Sequence, residues 1–371
     1  MKILVGKDIE RTEWEALVKA SAMGTWFQTP EAYDFFATQP ELFQPFAYGI
    51  EYDGRLRGVC SGYITVEKSA IKQFLTRRAI IIGGPVLADD CTDAEVEVLM
   101  SAVREIASLQ LPPKRRREKT PSLEGGDGGR LLSPIYIETR NFNDYSRWKG
   151  AFAKAGFDYM PHLNFHVDCT DKAKMWERLS ENRKRQIKKA IKSGVEIAEA
   201  QSEQEIADWF VILQELYTTK VKTPLFPLSF FLEFYRQGLG KFLMVKYEGK
   251  VIGGIMCPIL SNGERLAVSG ERREPRGVIY EWFVCGNDAE YKSQNPSVMA
   301  TYAAMEHAHA HGLARFDFMG AGKPNEPYGV RDFKARFGGD EVEYGRFLCV
   351  TKPMLYKLGT IGVKALKRFR I

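Results

Sequence analysis

The residues between 315 and 339 combine charges, glycines and aromatic rings in a pattern that could support catalysis. A predicted strand ends at Asp317, and a glycine-rich turn follows it. Loops at strand ends commonly carry the active sites of α/β proteins. Lys334 lies beyond the turn among aromatic residues, where its ammonium group could stabilise a developing oxyanion or bind a phosphate. A cationic helix face with two core phenylalanines explains the same spacing equally well.

The segment at residues 180–192, SENRKRQIKKAIK, has the densest positive charge of the sequence. A helical register directs Leu179, Ile187 and Ile191 toward the core and leaves a stripe of lysines outside. Like charges four residues apart destabilise a helix, so a phosphate-rich partner would supply the missing anions. A solvated helix face is the alternative. The cations are Arg183, Lys184, Arg185, Lys188, Lys189 and Lys192.

The histidines show no recognisable catalytic or metal-binding motif. His307 and His311 share a helical face, but no motif positions a third ligand, so we favour histidines on a helix surface. His162 and His166 flank a predicted strand without a recognisable triad context. Neither G-x-S-x-G nor G-K-[ST] occurs, which excludes the α/β-hydrolase nucleophile elbow and the P-loop.

The composition is typical of a globular protein with two domains. The chain has 371 residues, 44% of them hydrophobic and 27% charged, which disfavours disorder, collagen and coiled coil. The formal net charge is only +6, so local clusters would have to hold any polyanion.

The cysteines and the hydropathy indicate a cytoplasmic protein. The 6 cysteines lie far apart with no C-x-x-C pair, which disfavours a disulfide framework or a structural zinc site. The amino terminus is a poor signal peptide. The longest strongly apolar run, at residues 79–88, is too short to span a bilayer.

Two β-hairpins with similar sequences predict a duplicated α/β domain. Residues 46–66 read FAYGIEYDGRLRGVCSGYITV, and residues 242–260 read FLMVKYEGKVIGGIMCPIL. Their turn glycines, Gly54 and Gly249, are 195 residues apart (249 − 54), about half the chain. The order helix, hairpin, strand, helix, strand occurs twice. Coincidence between two ordinary hairpins is the alternative.

Each hairpin follows an amphipathic helix with a predicted capping box. Thr12 pairs with Glu15 in the first helix, and Ser202 pairs with Glu205 in the second.

Two further segments differ from the rest. Residues 112–130 are rich in charge, proline and glycine, which predicts a surface loop or a disordered excursion. Residues 352–371 form a basic amphipathic stretch, which could rest on an anionic membrane surface or pack back onto the first domain.

Several motifs resemble the FemABX family of aminoacyltransferases. The matching runs are NRKRQIKKAIKSGVEI, SVMATYAAMEHAHAHGLARFDFMGAG and YGVRDFKARFGG, with weaker matches at WFQTPEAY and RRAIIIGGPVL. The resemblance covers most of the chain. It implies an α/β (α+β) fold with two tandem GNAT-like acyltransferase domains and mixed, largely antiparallel sheets. The first domain would comprise residues 1–165, with the excursion at 112–130, completed by 345–371; the second would comprise 166–344.

The resemblance also implies an activity. Such enzymes transfer an amino acid from aminoacyl-tRNA to an amino group of a peptidoglycan precursor, either lipid II or its nucleotide-linked form. They need no metal or other cofactor and do not use acetyl-CoA. Two alternatives stay open: an N-acyltransferase that uses another acyl donor on a cell-envelope sugar or lipid precursor, and a non-catalytic protein that binds a polyanion.

Site residues follow from the resemblance. Phe333 and Lys334 match the family's Phe-Lys pair, so we expect Lys334 to be catalytic and Asp317 to act as a base or an orienting group. No lysine follows the glutamine-aromatic motif before Lys68, so the acceptor could differ from the family's usual one. Lys220 or Lys222 could replace a family arginine. The expected substrate-binding residues are Phe333, Tyr328, Arg331, Arg336, Arg183, Lys184, Lys188, Gln28, Tyr33 and Lys222.

Overall fold

The computed structural model describes residues 1–67, 69, 74–106, 133–261, 265–266, 273–274 and 277–360. The chain forms two compact units: unit 1 combines Met1–Met160 with Arg346–Ile371, and unit 2 is Pro161–Gly345. The predicted excursion at 112–130 and the end of the basic stretch, 361–371, lie outside the described residues. In the described parts of the chain, no helix is long and apolar enough to cross a membrane.

Unit 1 is built on one mixed sheet. Its strand order is β1-β2-β3-β4-β6-β18-β7, and β5 pairs with β3 beyond the end of β4. Helices α3 and α4 pack on one face of this sheet through Leu99, Val103 and Phe152. The elements of unit 1 are β1 (Lys2–Val5), α1 (Arg11–Ala20), α2 (Pro30–Ala37), β2 (Phe43–Tyr52), β3 (Arg55–Thr65), β4 (Ala79–Gly83), β5 (Val86–Leu87), α3 (Asp93–Glu105), β6 (Tyr136–Asn141), α4 (Lys149–Lys154), β7 (Asp158–Met160) and, after unit 2, β18 (Arg346–Val350).

Unit 2 has a second mixed sheet of the same kind. Its strand order is β17-β8-β16-β14-β11-β10-β9, and β15 pairs with β11. The elements of unit 2 are β8 (Leu163–Asp168), α5 (Lys172–Arg178), α6 (Glu181–Lys192), β9 (Glu196–Glu199), α7 (Glu203–Leu216), a π-helical turn (Tyr217–Val221), α8 (Leu228–Arg236), β10 (Gly240–Tyr247), β11 (Lys250–Leu260), β12 (Arg265–Leu266), β13 (Arg273–Glu274), β14 (Val278–Tyr280), β15 (Phe283–Gly286), α9 (Pro296–Ala310), β16 (Arg315–Asp317), α10 (Gly329–Ala335) and β17 (Asp340–Glu343).

The two hairpins match in detail, which supports the predicted duplication. Both turns place two consecutive residues at positive φ, Asp53–Gly54 and Glu248–Gly249, as a type I′ turn requires. Each hairpin then has a bulge that leaves one residue out of the pairing, Arg57 or Ile252. Both residues lie three positions after the turn glycine (57 − 54 and 252 − 249).

The strand that follows each hairpin is broken in the same way. In unit 1, β3 pairs first with β5 and then with β4, and β4 runs parallel to β6. In unit 2, β11 pairs with β15 and β14, and β14 runs parallel to β16. The other strand pairs among the described residues are antiparallel, so the predicted mixed, largely antiparallel sheets are confirmed.

The capping-box prediction is half right for one helix and wrong for the other. Ser202 caps α7: its hydroxyl accepts from the backbone N–H of Glu205 at 3.3 Å, but the carboxylate of Glu205 accepts from the N–H of Gln201 at 3.0 Å rather than from that of Ser202. Thr12 does not cap α1, because the carboxylate of Glu10 accepts from the N–H of Glu13 at 2.9 Å and starts the helix two residues earlier than predicted.

The predicted inward position of Ile191 is also wrong. The buried stripe of α6 is Arg183, Ile187 and Ala190, which recur at the helical spacing of four and three residues. Ile191 lies one position beyond that stripe and is 55% exposed.

Gln28 fixes the point where β3 and β4 separate in unit 1. Its buried amide donates to the carbonyl oxygens of Ser61 at 2.8 Å and Ile82 at 2.9 Å, and it accepts from the N–H of Ser61 at 2.8 Å. Every polar group of this side chain is therefore used to join the strands.

We predict that Gln28→Ala lowers the free energy of unfolding by about 2 to 4 kcal/mol, because it leaves buried backbone groups without partners. Urea unfolding measures the loss. Gln237→Ala, at an exposed helix end, is the matched control and should change stability little. Equal losses in both variants would contradict the bridging role.

Candidate active site

The site lies in unit 2, where two parallel strands separate. β14 and β16 pair only from Val278 to Tyr280 and from Arg315 to Asp317. Beyond Tyr280 the chain continues into β15, which pairs with β11 and so leaves β16. The carboxyl ends of parallel strands are where open α/β sheets bind ligands.

Lys334 on α10 connects this helix to both strand ends. Its ammonium group donates to the carbonyl oxygens of Phe318 at 2.7 Å and Gly320 at 2.9 Å. It also lies 3.0 Å from a carboxylate oxygen of Glu281. A lysine ammonium has three N–H donors, so these acceptors use all of them. The side chain of Lys334 is 11% exposed, so its charge is largely shielded from bulk water.

Glu281 is a site residue that the sequence analysis missed. It follows β14 directly and is buried, and its second oxygen accepts from the hydroxyl of Thr301 at 3.3 Å. Burial raises the pKa of Glu281, and the nearby Lys334 opposes that shift. A carboxylate directly after the apolar run GVIY was the signal in the sequence.

Asp317 forms a second buried pair, with His166. One of its oxygens accepts from the side-chain amide of Asn164 at 2.7 Å and from the N–H of Met319 at 2.7 Å. The other lies 3.0 Å from Nε2 of His166. Burial opposes ionisation of this carboxyl, but the charge of His166 and its hydrogen bond lower the pKa of Asp317 below its ordinary value.

The turn after β16 joins the two pairs. Asn164 accepts from the N–H of Gly320, and Lys334 binds the carbonyl of the same glycine. Met319 and Gly320 both have positive φ, at 58° and 131°. A non-glycine residue is strained there, so the hydrogen bonds on either side hold the turn in place.

The predicted cations of α6 have different surroundings. Arg183 is buried: its guanidinium carbon lies 4.2 Å from the ring centre of Phe333, and the group donates to the Phe333 carbonyl at 3.1 Å. Burial lowers the pKa of Arg183 to about 10. Lys184 pairs with Glu181 at 2.8 Å, while Lys188 is exposed. Arg183 therefore packs α6 against α10, and the solvent-facing cations are Arg185, Lys188, Lys189 and Lys192.

The other predicted binding residues lie at several places. Arg331 donates to the carbonyl of Ala321 at 2.9 Å, and half-exposed Tyr328 covers Gly322. Arg336 is exposed, and Lys222 is exposed at the end of the π-helical turn with φ of 55°.

Gln28 and Tyr33 belong to unit 1. Gln28 is fully occupied by backbone groups, and Tyr33 packs its ring edge-on to Trp14 with 6.0 Å between ring centres. In the described residues, no group of three or more His, Cys, Asp or Glu side chains could hold a metal ion.

Comparisons with known proteins agree with this architecture. Residues 274–364 match the FemAB family, a segment that contains Glu281, Asp317 and Lys334. The fold is similar to that of FemX, with a TM-score of 0.67 at 13% identity over 96% of this chain and 99% of the other. It is also similar to L-PGS from Bacillus licheniformis, with a TM-score of 0.51 at 11% identity over 95% of this chain and 96% of that one. No curated protein matches the sequence.

The family match confirms the resemblance of the sequence to the FemABX family. The likeness to FemX, together with the two units on mixed sheets, confirms the predicted α/β fold with two tandem domains.

We predict that Lys334→Met lowers the free energy of unfolding by about 3 to 5 kcal/mol, because it leaves the buried Glu281 carboxylate unpaired. The double variant Lys334→Met, Glu281→Gln should lose clearly less, since both charges are gone. Urea unfolding of both variants and of Glu281→Gln gives the coupling free energy between the two charges. Additive losses would show that the two charges do not stabilise each other.

Proposed function

We propose that this FemAB-like protein transfers an amino acid from aminoacyl-tRNA to an amino group of a peptidoglycan precursor, either lipid-linked or nucleotide-linked. One observation supports this most: the segment that matches the FemAB family contains the charged residues of the candidate site. The match supports our proposal that the transfer takes place in unit 2.

The reaction would be aminolysis of an activated ester. An amine attacks the aminoacyl carbonyl, a tetrahedral oxyanion forms, and the ribose hydroxyl of the RNA leaves. The enzyme must align two large anionic substrates and stabilise the oxyanion. The separated ends of β14 and β16 carry fixed charges where such substrates could be aligned.

Lys334 would contribute mainly by position and charge. Because its three donors are occupied by protein oxygens, it does not offer a free N–H to an oxyanion in this arrangement. Its positive charge still lowers the energy of negative charge nearby, and its contacts fix the turn at residues 318–320. This role supports the assignment of Lys334 to the site. Because Glu281 shares an ion pair with Lys334, variants of the two residues are tested together.

The activity can be tested with purified protein, total tRNA charged with labelled amino acids, and extracted lipid-linked and nucleotide-linked precursors. We expect label in a precursor, and we expect RNase to abolish it. Because Lys334→Met can also unfold the protein, its activity is read beside the Lys334→Met, Glu281→Gln variant. Label that resists RNase would favour another acyl donor, and folded protein without transfer would contradict the proposal.

The exposed cations of α6 would contact the RNA. Replacement of Arg185, Lys188, Lys189 and Lys192 by Gln should weaken tRNA binding and lower the slope of log K against log salt by up to about 3, because fewer counterions are released. Filter binding at several salt concentrations measures the slope. The control variant replaces four exposed cations of unit 1 by Gln: Lys2, Lys7, Lys19 and Arg55. It changes the net charge by the same amount and should leave the slope unchanged. The same slope in both variants would exclude α6 from the RNA interface.

Peripheral contact with a membrane is supported by the helix at residues 353–360. Met354 is 81% and Leu358 is 61% exposed, and residues four apart share a helix face. Lys357 is exposed beside them and would favour an anionic surface.

We therefore expect Met354→Ser with Leu358→Ser to reduce sedimentation of the protein with vesicles of anionic phospholipid. The matched control is Ile191→Ser with Val211→Ser, which removes two exposed apolar side chains from other helices. Equal sedimentation of both variants and the wild type would contradict the contact.

A further inference from the structure

We infer that His166 is the general base of the proposed transfer and that Asp317 orients it. The inference rests on the proposed function and assigns its proton-transfer step. This histidine has no recognisable triad context in the sequence, since the two residues are 151 positions apart (317 − 166). The fold brings them face to face, because His166 and Asp317 are direct partners in the antiparallel pair β8 and β16.

The carboxylate determines which nitrogen of the ring can accept a proton. Nε2 lies 3.0 Å from the Asp317 oxygen and 3.2 Å from the side-chain nitrogen of Asn164. The negative carboxylate is the stronger partner, so it favours the neutral tautomer with its proton on Nε2. Nδ1 then keeps its lone pair. Within the described residues, the side-chain polar contacts of His166 are made by Nε2, and the side chain stays 10% exposed. This is the arrangement of a base with an orienting carboxylate behind it.

Two carboxylates lie on the strands that flank His166. Asp317 faces it from β16, and Asp340 is its partner on β17, where Arg178 holds that carboxylate at 2.5 Å. Asn164 is a neutral neighbour on the same strand, and the ring of Tyr344 lies 5.6 Å away between ring centres. The low pKa of Asp317 keeps it ionised while His166 takes up a proton.

Other groups of the site are already committed. Lys334 uses its three donors on protein oxygens, and Glu281 is bound to Lys334 and Thr301. Asp317 uses one oxygen for Asn164 and Met319 and the other for His166. Among these side chains, the ring of His166 is the one with a basic atom left for the substrate.

The step balances without another reagent. Nδ1 of His166 takes a proton from the acceptor ammonium, and the freed amine attacks the ester carbonyl carbon and forms a C–N bond. The tetrahedral intermediate then breaks its C–O bond to the ribose, while the attacking nitrogen gives up a proton to the leaving ribose oxygen. An amide and a free hydroxyl result, and the imidazolium releases its proton to water.

The test is single-turnover transfer by His166→Gln across pH. We expect the rate to fall by about 100-fold or more with little change in acceptor KM. The wild-type rate should rise with pH and then level off, whereas the rate of the variant should keep rising, because only an acceptor amine that is already deprotonated can react. With hydroxylamine, an amine that is unprotonated at neutral pH, both proteins should form the hydroxamate at similar rates. His311→Gln, on the exposed end of α9, is the control and should behave as wild type.

Each outcome decides the inference. A wild-type pH profile in His166→Gln overturns it, and so does an equal loss with hydroxylamine, which would indicate a structural role. If that variant does not fold, Asp317→Asn replaces it, because an amide facing Nε2 favours the wrong tautomer and should lower the rate in the same manner. If neither the wild type nor the variants transfer an amino acid, the result contradicts the proposed function itself. The assignment of His166 as its base is then contradicted as well.

Discussion

A buried ammonium group holds the candidate site together. Lys334 binds two carbonyl oxygens of the turn after β16 and the carboxylate that follows β14. The N–H of Glu281 still donates to the carbonyl of Asp317 at 2.9 Å, but beyond that bond the chain turns into β15 and leaves β16. Lys334 links the two diverging ends, and its contacts hold Glu281 and the Met319–Gly320 turn in place.

Much of the fold could be predicted from local sequence. The type I′ turns at Asp53–Gly54 and Glu248–Gly249 follow from the residue types that tolerate positive φ. The cap at Ser202 follows from a short-range pattern. The failures were also local. Glu10 caps α1 in place of Thr12 by accepting from the N–H of Glu13. Ile191 lies one residue beyond the buried stripe of α6 and is exposed.

The site was only partly predictable, because it depends on strand register. Lys334 and Asp317 stood out through a motif near one end of the chain. Their partners, Glu281 and His166, lie 53 and 151 residues earlier (334 − 281 and 317 − 166), and no local pattern marks those distances. Arg183 shows the opposite error: a charge run suggested an exposed group, but stacking on Phe333 makes it part of the packing between α6 and α10.

The duplication shows why this chemistry would belong to unit 2. Two isoleucines occupy the same place in the hairpins, ten residues after the turn glycine: Ile64 in unit 1 and Ile259 in unit 2 (64 − 54 and 259 − 249). Following the strand pairs across each sheet from these residues leads to the residue just before Glu138 in unit 1 and to the residue just before Asp317 in unit 2. Glu138 and Asp317 therefore occupy equivalent positions.

Both carboxylates are buried, but their partners differ. Burial opposes ionisation of Glu138, yet Arg140 and Arg346, at 3.0 and 2.8 Å, lower its pKa to about 2. An arginine keeps its proton at any working pH and cannot serve as a base, whereas a histidine can gain and lose one. The same position in the repeat therefore gives a fixed ion pair in unit 1 and a group capable of proton transfer in unit 2.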